Sequence, residues 1–252
     1  MELYVSGLSG PEDMKAILKE TGAGLETIAF SIAENLDRFE ETLVSERQLI
    51  EDCHRPALSV HGPFLDLNPM AFDSLVRSAT MTRFNQAYEA ARRLRARKII
   101  FHSGMIPTVY FLEGWAERMI DFWNEFLDGK EGIAVLMENV LDREITPFAE
   151  IAGAVSHPDF GLCLDIGHAH CYSPHEVSEW AEGLKGQIRH VHLHDNDGTW
   201  DHHKALGDGT IPLEEILPAL AGGNPGVSWT IECIGRKDVL KSVGTLRRIL
   251  GQ

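Results

Sequence analysis

Short apolar runs alternate with longer amphipathic stretches along this chain. Leu3–Ser6, Leu25–Phe30, Pro56–Phe64, Lys98–Gly104, Gly132–Val140, Phe160–Ile166, Ile188–His194 and Val227–Ile234 have strand length and are mostly apolar, with β-branched or aromatic side chains in most of them. Stretches with apolar residues at helical spacing lie between them. Pro11 opens the first, with Met14, Ile17 and Leu18 on one face. The others cover Asp37–Asp52, Phe72–Arg97, Phe111–Leu127, Pro147–Val155, His175–Leu184, Leu213–Leu220 and Asp238–Leu250. Strands alternating with helices predict βα units and a parallel sheet. Eight such units, with no Gly/Ser linker and no break in composition, predict a single (β/α)8 TIM barrel over residues 1–252.

Two helices carry features that could be read as sites. The helix ending near Arg97 has a basic tail, Arg92, Arg93, Arg95, Arg97 and Lys98, which a helix C-terminus favours through its dipole. The stretch Phe111–Leu127 is rich in aromatics (Phe111, Trp115, Phe122, Trp123, Phe126) whose spacing suits core packing.

Composition narrows the class. A hydrophobic content of 44% is ample for one large core, and the formal charge is −15. An acidic chain of this kind lacks the basic stripe expected of a DNA-binding surface, so DNA is a disfavoured partner. Cys53, Cys163, Cys171 and Cys233 form no C-x-x-C pair, and a barrel of this size needs no disulfide staples. The N-terminus has no basic region followed by an apolar run, and no apolar run is long enough to span a membrane. The expected compartment is the reducing cytoplasm.

The candidate chemistry lies at strand ends. His61, His102, Glu138, Asp165, His192 and Glu232 fall at or near the C-terminal ends of the last six strands, where TIM barrels build their active sites. Strand parity points the same way. Ile99 and Phe101, Val135 and Met137, Leu162 and Leu164, Val191 and Leu193, and Trp229 and Ile231 alternate with these polar residues, so they face the helices and the polar residues face the axis. His168 in DIGHAH, and Asp201 and His203 after the seventh strand, lie just beyond strand ends. Imidazoles and carboxylates at this density are costly to bury unpaired. A divalent cation neutralises them, and mixed nitrogen and oxygen ligands suit zinc or manganese, at one to three ions per chain. His170, His190, His194 and His202 are either supporting partners of these groups or solvent-facing. His54, His157 and His175 fall in loops or helix starts and read as surface residues.

With these residues assembled, the sequence resembles the xylose isomerase-like TIM barrel superfamily. That superfamily includes sugar phosphate isomerases and epimerases and the endonuclease IV-type AP endonucleases (AP endonuclease family 2). The resemblance covers nearly the whole chain. It rests on HGPF at His61, FHSG at His102, MENV at Glu138, CLDIGHAH around Asp165 and His168, HLHD at His192, DHHKALGDG at Asp201 and His203, and IECI at Glu232. It implies that Glu138, Asp165, His192 and Glu232 form the single-metal site of the isomerases. In the endonuclease branch, His61 and His102 complete a neighbouring metal with Glu138, and His168, Asp201 and His203 hold a third.

Three readings follow. The first is a metal-dependent isomerase or epimerase of a small sugar or sugar phosphate. In it Glu138 and Glu232 exchange a proton with the substrate carbon through a metal-stabilised enediolate, and His168 holds a substrate oxygen. The second is an endonuclease IV-like phosphodiesterase with two or three metals, in which Phe64 and Leu65 could form an apolar wedge. The third is a non-catalytic metal-binding barrel.

Overall fold

A computed structural model describes residues 1–252 and shows a closed barrel of eight parallel strands in sequence order. The strands are β1 (Leu3–Ser6), β2 (Gly24–Thr27), β3 (Leu58–His61), β4 (Lys98–His102), β5 (Ala134–Glu138), β6 (Phe160–Asp165), β7 (Ile188–Leu193) and β8 (Ser228–Ile231). β8 pairs with β1 and closes the ring. The helices are α1 (Pro11–Thr21), α2 (Ala33–Asp37), α3 (Phe39–Asp52), α4 (Ser74–Leu94), α5 (Trp115–Leu127), α6 (Thr146–Ala154), α7 (Ile166–Tyr172), α8 (Val177–Gly183), α9 (Leu213–Gly223) and α10 (Arg236–Ile249). No helix is long and apolar enough to cross a membrane.

The alternation predicted from sequence is the alternation observed. Ile99, Phe101, Val135, Met137, Leu162, Leu164, Val191, Leu193, Trp229 and Ile231 all belong to the large core between the strands and the helices. The lumen holds a much smaller apolar cluster, Ile100, Leu136 and Cys163. Apolar side chains therefore insulate the sheet from the helices, while the lumen is left largely to polar groups.

The structure differs from the sequence reading at several boundaries. β2 ends at Thr27, and Ala29–Ser31 form a 3-10 turn in which Phe30 is buried. A short apolar run does not by itself distinguish a strand from a buried turn. α5 begins at Trp115, which leaves Phe111 outside it and 76% exposed. The other aromatics pack as expected: Phe122, Trp123 and Phe126 meet Phe84, and Phe101 joins them through Trp123 and Phe126. The basic tail of α4 is engaged locally. Arg92 pairs with Glu89, Arg93 with Glu40 and Arg97 with Glu2. These pairs sit at the N-terminal end of the strands, away from the strand ends that carry the site.

Candidate functional site

The ends of β3, β4 and β5, the residue after β8, α7 and the loop after β7 line one cavity of about 360 Å³, whose walls include His61, His102, Glu138, His168, Asp201, His203 and Glu232. Asp165 and His192 lie beneath, fully buried. All nine residues expected from the sequence are thus brought together.

Glu138 is the hub. Its Oε2 lies 3.6 Å from His61 Nε2 and 3.7 Å from His102 Nε2. Its Oε1 lies 3.3 Å from His192 Nδ1 and 3.4 Å from His168 Nδ1. One carboxylate therefore faces His61 and His102 with one oxygen and His192 with the other, as a bridging ligand would, while His168 Nδ1 beside it is engaged by Asn139 O. Glu232 Oε1 approaches the same His192 Nδ1 at 3.5 Å. Further out, Asp201 Oδ2 lies 3.3 Å from His168 Nε2 and 3.2 Å from His203 Nε2.

Local structure explains how these positions are held. Asn139 clamps β6: its Oδ1 accepts from Asp165 N at 2.8 Å and its Nδ2 donates to Asp165 O at 3.0 Å. Asp165 then caps α7, accepting from His168 N at 2.7 Å, and so fixes the turn that carries His168. After β7, buried Asp195 anchors the long polar loop. Its carboxylate accepts from Asn196 N, Gly207 N and Ile211 N, and its backbone pairs with Lys204. Asp195 is therefore a loop clamp, and the loop it closes presents Asp201 and His203.

Three residues enter the site beyond the nine candidate ligands: His194 and His190, which the sequence left between supporting partner and solvent-facing group, and Glu26, which it did not single out. His194 lies past the end of β7 yet is fully buried, with Nε2 3.1 Å from Asp165 Oδ1 and 3.5 Å from Asp201 Oδ1. It stacks on His203 at 3.9 Å. With His168, Asp201 and His203 it forms a group whose candidate ligand atoms all lie within 4.8 Å of one another. Gly167 makes room for it, since a Cβ there would fall 1.9 Å from His194 Cε1. His190 is also internal: its Nδ1 meets Ser228 Oγ at 2.6 Å and its Nε2 meets Thr230 Oγ1 at 2.8 Å.

The third is Glu26, on β2. It is fully buried, accepts from Ser59 Oγ at 2.9 Å and Thr230 Oγ1 at 3.0 Å, and places Oε1 3.0 Å from His192 Nε2. The last contact has ion-pair distance, though the ring N–H is not aimed along it. The signal was present in the sequence: an acid between Leu25 and Thr27 has inward parity in a short buried strand. It lies near the start of the apolar run Leu25–Phe30, away from the strand ends that carry the other candidates.

The donor set fits a divalent metal. Glu138 Oε2, Asp165 Oδ2, Asp201 Oδ1 and the ring nitrogens of His192 and His194 are buried without hydrogen-bond partners, a costly state that a cation relieves. The tautomers fit as well. His61 Nδ1 donates to Gly62 O at 2.9 Å, His168 Nδ1 to Asn139 O at 3.0 Å and His203 Nδ1 to Glu232 O at 2.6 Å. Each leaves Nε2 facing a carboxylate. Two lone pairs at that distance repel unless a proton or a metal lies between them, and a backbone acceptor behind a histidine is the usual support of a metal ligand.

The titration behaviour agrees. Burial pushes Glu138 up, but the charges of His192 and His102 and contacts with His168 outweigh it and hold Glu138 well below the usual carboxylate range. Burial, with the charges of Glu138, Asp165 and Glu26, leaves Glu232 above that range despite His192. Burial lowers His203, but its contact with Asp201 and the nearby carboxylates bring it to about 9. Carboxylates likewise overcome burial at His168 and raise it well above the imidazole range. Burial and the neighbouring imidazoles push His102 down to about 3, the neutral state a ligand needs.

The comparisons with known proteins agree with this architecture. The family model of the xylose isomerase-like TIM barrel matches residues 16–249. The chain belongs to that family. It is 31% identical over 213 residues to the uncharacterized protein MJ1311 of Methanocaldococcus jannaschii, covering 80% of this chain and 72% of that one. Among solved structures, a D-tagatose 3-epimerase-like protein superimposes with a TM-score of 0.83 at 26% identity, covering 100% of this chain and 97% of the other. The TTHB071 protein from Thermus thermophilus, soaked with ZnCl2, has a TM-score of 0.75 at 24% identity, with 100% and 98% covered. The second likeness is one of fold.

Two outcomes follow for metal binding. Glu26→Gln keeps the shape but removes the charge beside His192. It is expected to weaken zinc affinity about 10- to 100-fold, read by competition with a chromophoric chelator; unchanged affinity would show that Glu26 does not support a ligand. The second concerns protons. Because His168 and His203 lie above the ordinary imidazole range, they carry protons at pH 7, which an incoming cation must displace. Zinc affinity is therefore expected to fall as pH falls, by up to about tenfold per pH unit for each proton displaced. Calorimetry in buffers of different ionisation enthalpy should show more than one proton released per ion at the outer group. His203→Ala should remove part of that release.

Proposed function

We propose that the protein is a divalent-metal-dependent isomerase or epimerase of a small sugar. Glu138, Asp165, His192 and Glu232 would hold zinc or manganese at the base of the cavity. The ion would supply Lewis-acid polarisation of adjacent carbonyl and hydroxyl oxygens on the substrate.

The observation that carries this reading is the carboxylate pair. Glu138 and Glu232 reach the same nitrogen of His192, at 3.3 and 3.5 Å, and their surroundings push their proton affinities in opposite directions. Paired acids separated in this way can divide the roles of proton acceptor and donor. One takes the proton from the carbon beside the carbonyl and the other returns it, to the neighbouring carbon in isomerisation or to the opposite face in epimerisation. His168 lines the cavity with its ring fixed by Asn139 O, and it would hold a substrate oxygen. The cavity volume lies at the small end of the roughly 300–1,000 Å³ usual for ligand sites, which suits one sugar unit. The likeness to a D-tagatose 3-epimerase-like protein supports the same reaction class.

The second reading is an endonuclease IV-like phosphodiesterase. Its support is the outer group of His168, His194, Asp201 and His203, which one-metal proton transfer does not require. Against it stand the charge of −15 and a cavity with no lysine or arginine in its walls. A phosphodiester usually draws cationic side chains to its oxygens. Phe64, a wedge candidate under this reading, stacks on His102 at 4.3 Å and forms part of the cavity wall.

Proton exchange separates the two. The metal-loaded protein in D2O is expected to exchange the hydrogen beside the carbonyl of a ketose or aldose, followed by NMR across a panel of pentoses and hexoses. Glu232→Gln should slow exchange about 10²- to 10⁴-fold. Cleavage of an abasic duplex or a simple phosphodiester, with no exchange in any sugar, would overturn the isomerase reading. His203→Ala gives an independent discriminator. An isomerase served by the inner group should lose less than about tenfold in rate, whereas a hydrolase that needs the outer group should lose about 10²-fold or more.

A further inference from the structure

The candidate site does not end at its own cavity. A second hollow of about 460 Å³ opens beside it, lined mainly by Leu65, Leu67, Val76, Met105, Ile106 and Tyr110. Phe64, His102 and Val140 line both spaces. Phe64 and His102 stack 4.3 Å apart, so this aromatic pair forms a wall common to both.

The hollow is preformed. It lies between the β3–α4 and β4–α5 loops, and buried Asn68 ties these together. Its Nδ2 donates to Gly104 O at 2.9 Å, its Oδ1 accepts from Met70 N at 2.9 Å, and its backbone N donates to Thr80 Oγ1 at 2.9 Å. The surface held open in this way is apolar: Leu65 is 63% exposed, Ile106 45% and Val76 38%. A scattered exposed leucine means little, but a concave apolar surface continuous with a polar site is the usual form of a ligand pocket.

Charge selects the occupant. No lysine or arginine lines either space, and Asp66 is the acidic group in the second. A phosphate or carboxylate placed there would meet an acid and no cation. We propose that this hollow receives an uncharged apolar arm of the substrate, whose oxygen-bearing head occupies the metal-ligand cavity. The substrate class is then an unphosphorylated sugar or polyol derivative with an aryl or alkyl substituent. This rests on the isomerase reading for the head, while the arm is tested separately.

Hydroxamates serve as probes, because their two oxygens chelate a divalent ion much as adjacent sugar oxygens would. With the zinc-loaded full-length protein, calorimetry compares acetohydroxamate, phenylacetohydroxamate and phosphonoacetohydroxamate. The aryl probe is expected to bind at least tenfold more tightly than acetohydroxamate. Ile106→Asp and Val76→Asp, at solvent-open positions, should each remove that gain and leave zinc and acetohydroxamate affinities unchanged. The proposal is overturned if the aryl probe shows no gain, if the gain survives both substitutions, or if the phosphonate probe binds tightest, which would assign the hollow to an anion. It is also overturned if light scattering shows that Val76→Asp converts a dimer to a monomer without touching the aryl gain, since a second copy of the chain would then be the occupant. Failure of acetohydroxamate to bind would count against the metal site alone. Saturation-transfer NMR with phenyl β-D-glucoside against methyl β-D-glucoside then decides the arm. Aryl saturation that disappears in Ile106→Asp supports it, and no aryl saturation in the wild type overturns it.

Discussion

Carboxylates buried at the mouth and in the lumen of the barrel set the terms for this structure. Glu26, Glu138, Asp165 and Glu232 are buried, and Asp201 covers them from the loop above. Each buried charge costs several kcal/mol unless it is paired. The chain answers with imidazoles rather than with lysine or arginine: His61, His102, His168, His190, His192, His194 and His203 surround the acids. An imidazole can take a proton or give up its place to a metal, whereas a guanidinium can do neither. Acids matched by imidazoles form a site whose counter-charge is exchangeable. The backbone carbonyls behind His61, His168 and His203 make sense in the same terms, since they fix the nitrogen that remains available.

That arrangement depends on parts far less conspicuous than the candidate ligands. Asn139 fixes the end of β6, and Asp165 turns the chain into α7, so one strand end supplies both an acid and His168. Gly167 lets His194 pass beneath. Asp195 holds the loop after β7 through three backbone amides. Below the site, Lys98 Nζ donates to Ser228 Oγ, which meets His190, and Thr230 links His190 to Glu26. A polar chain thus runs down the lumen where many barrels pack branched aliphatic layers. It leaves Ile100, Leu136 and Cys163 as a small apolar remnant.

The barrel and the inward set of residues were legible in the sequence because both follow from a period of two. When Val135 and Met137 must face the helices, Glu138 has one direction left. The same rule reached Glu26, yet it was hidden because the apolar run reads as a strand to Phe30, which puts Glu26 near its start, whereas β2 ends at Thr27. His194 was legible only as an open choice between supporting partner and solvent-facing residue. Its burial depends on the chain staying extended past Leu193 and on the missing side chain of Gly167, which are facts of three-dimensional approach and not of spacing. α7 was hidden for a different reason. Seven residues are too few to show a helical period, and the Asp165 cap that starts the helix is one of the candidate ligands. The division between the inner group around His192 and the outer group around Asp201 came from the resemblance to the family and not from the spacing of the residues. The way Glu138 spans His61 and His102 on one oxygen and His168 and His192 on the other required coordinates.

The placement of charge connects these observations to substrate choice. The arginines at the end of α4 lie at the N-terminal end of the barrel, paired with Glu2, Glu40 and Glu89, and no lysine or arginine lines the cavity at the other end. At the functional end, attraction for a substrate comes from whatever cation the acids hold and from the apolar walls, Leu8, Ile28, Phe64 and Val140. A cation attracts paired oxygens, and apolar walls attract C–H faces and uncharged substituents. A substrate with a second, remote anionic group would gain from the first and, in the neighbouring hollow, meet Asp66 with no cation beside it. On the proposed reading, the absence of arginine and lysine from the cavity walls would discriminate between substrates as much as the candidate ligands would.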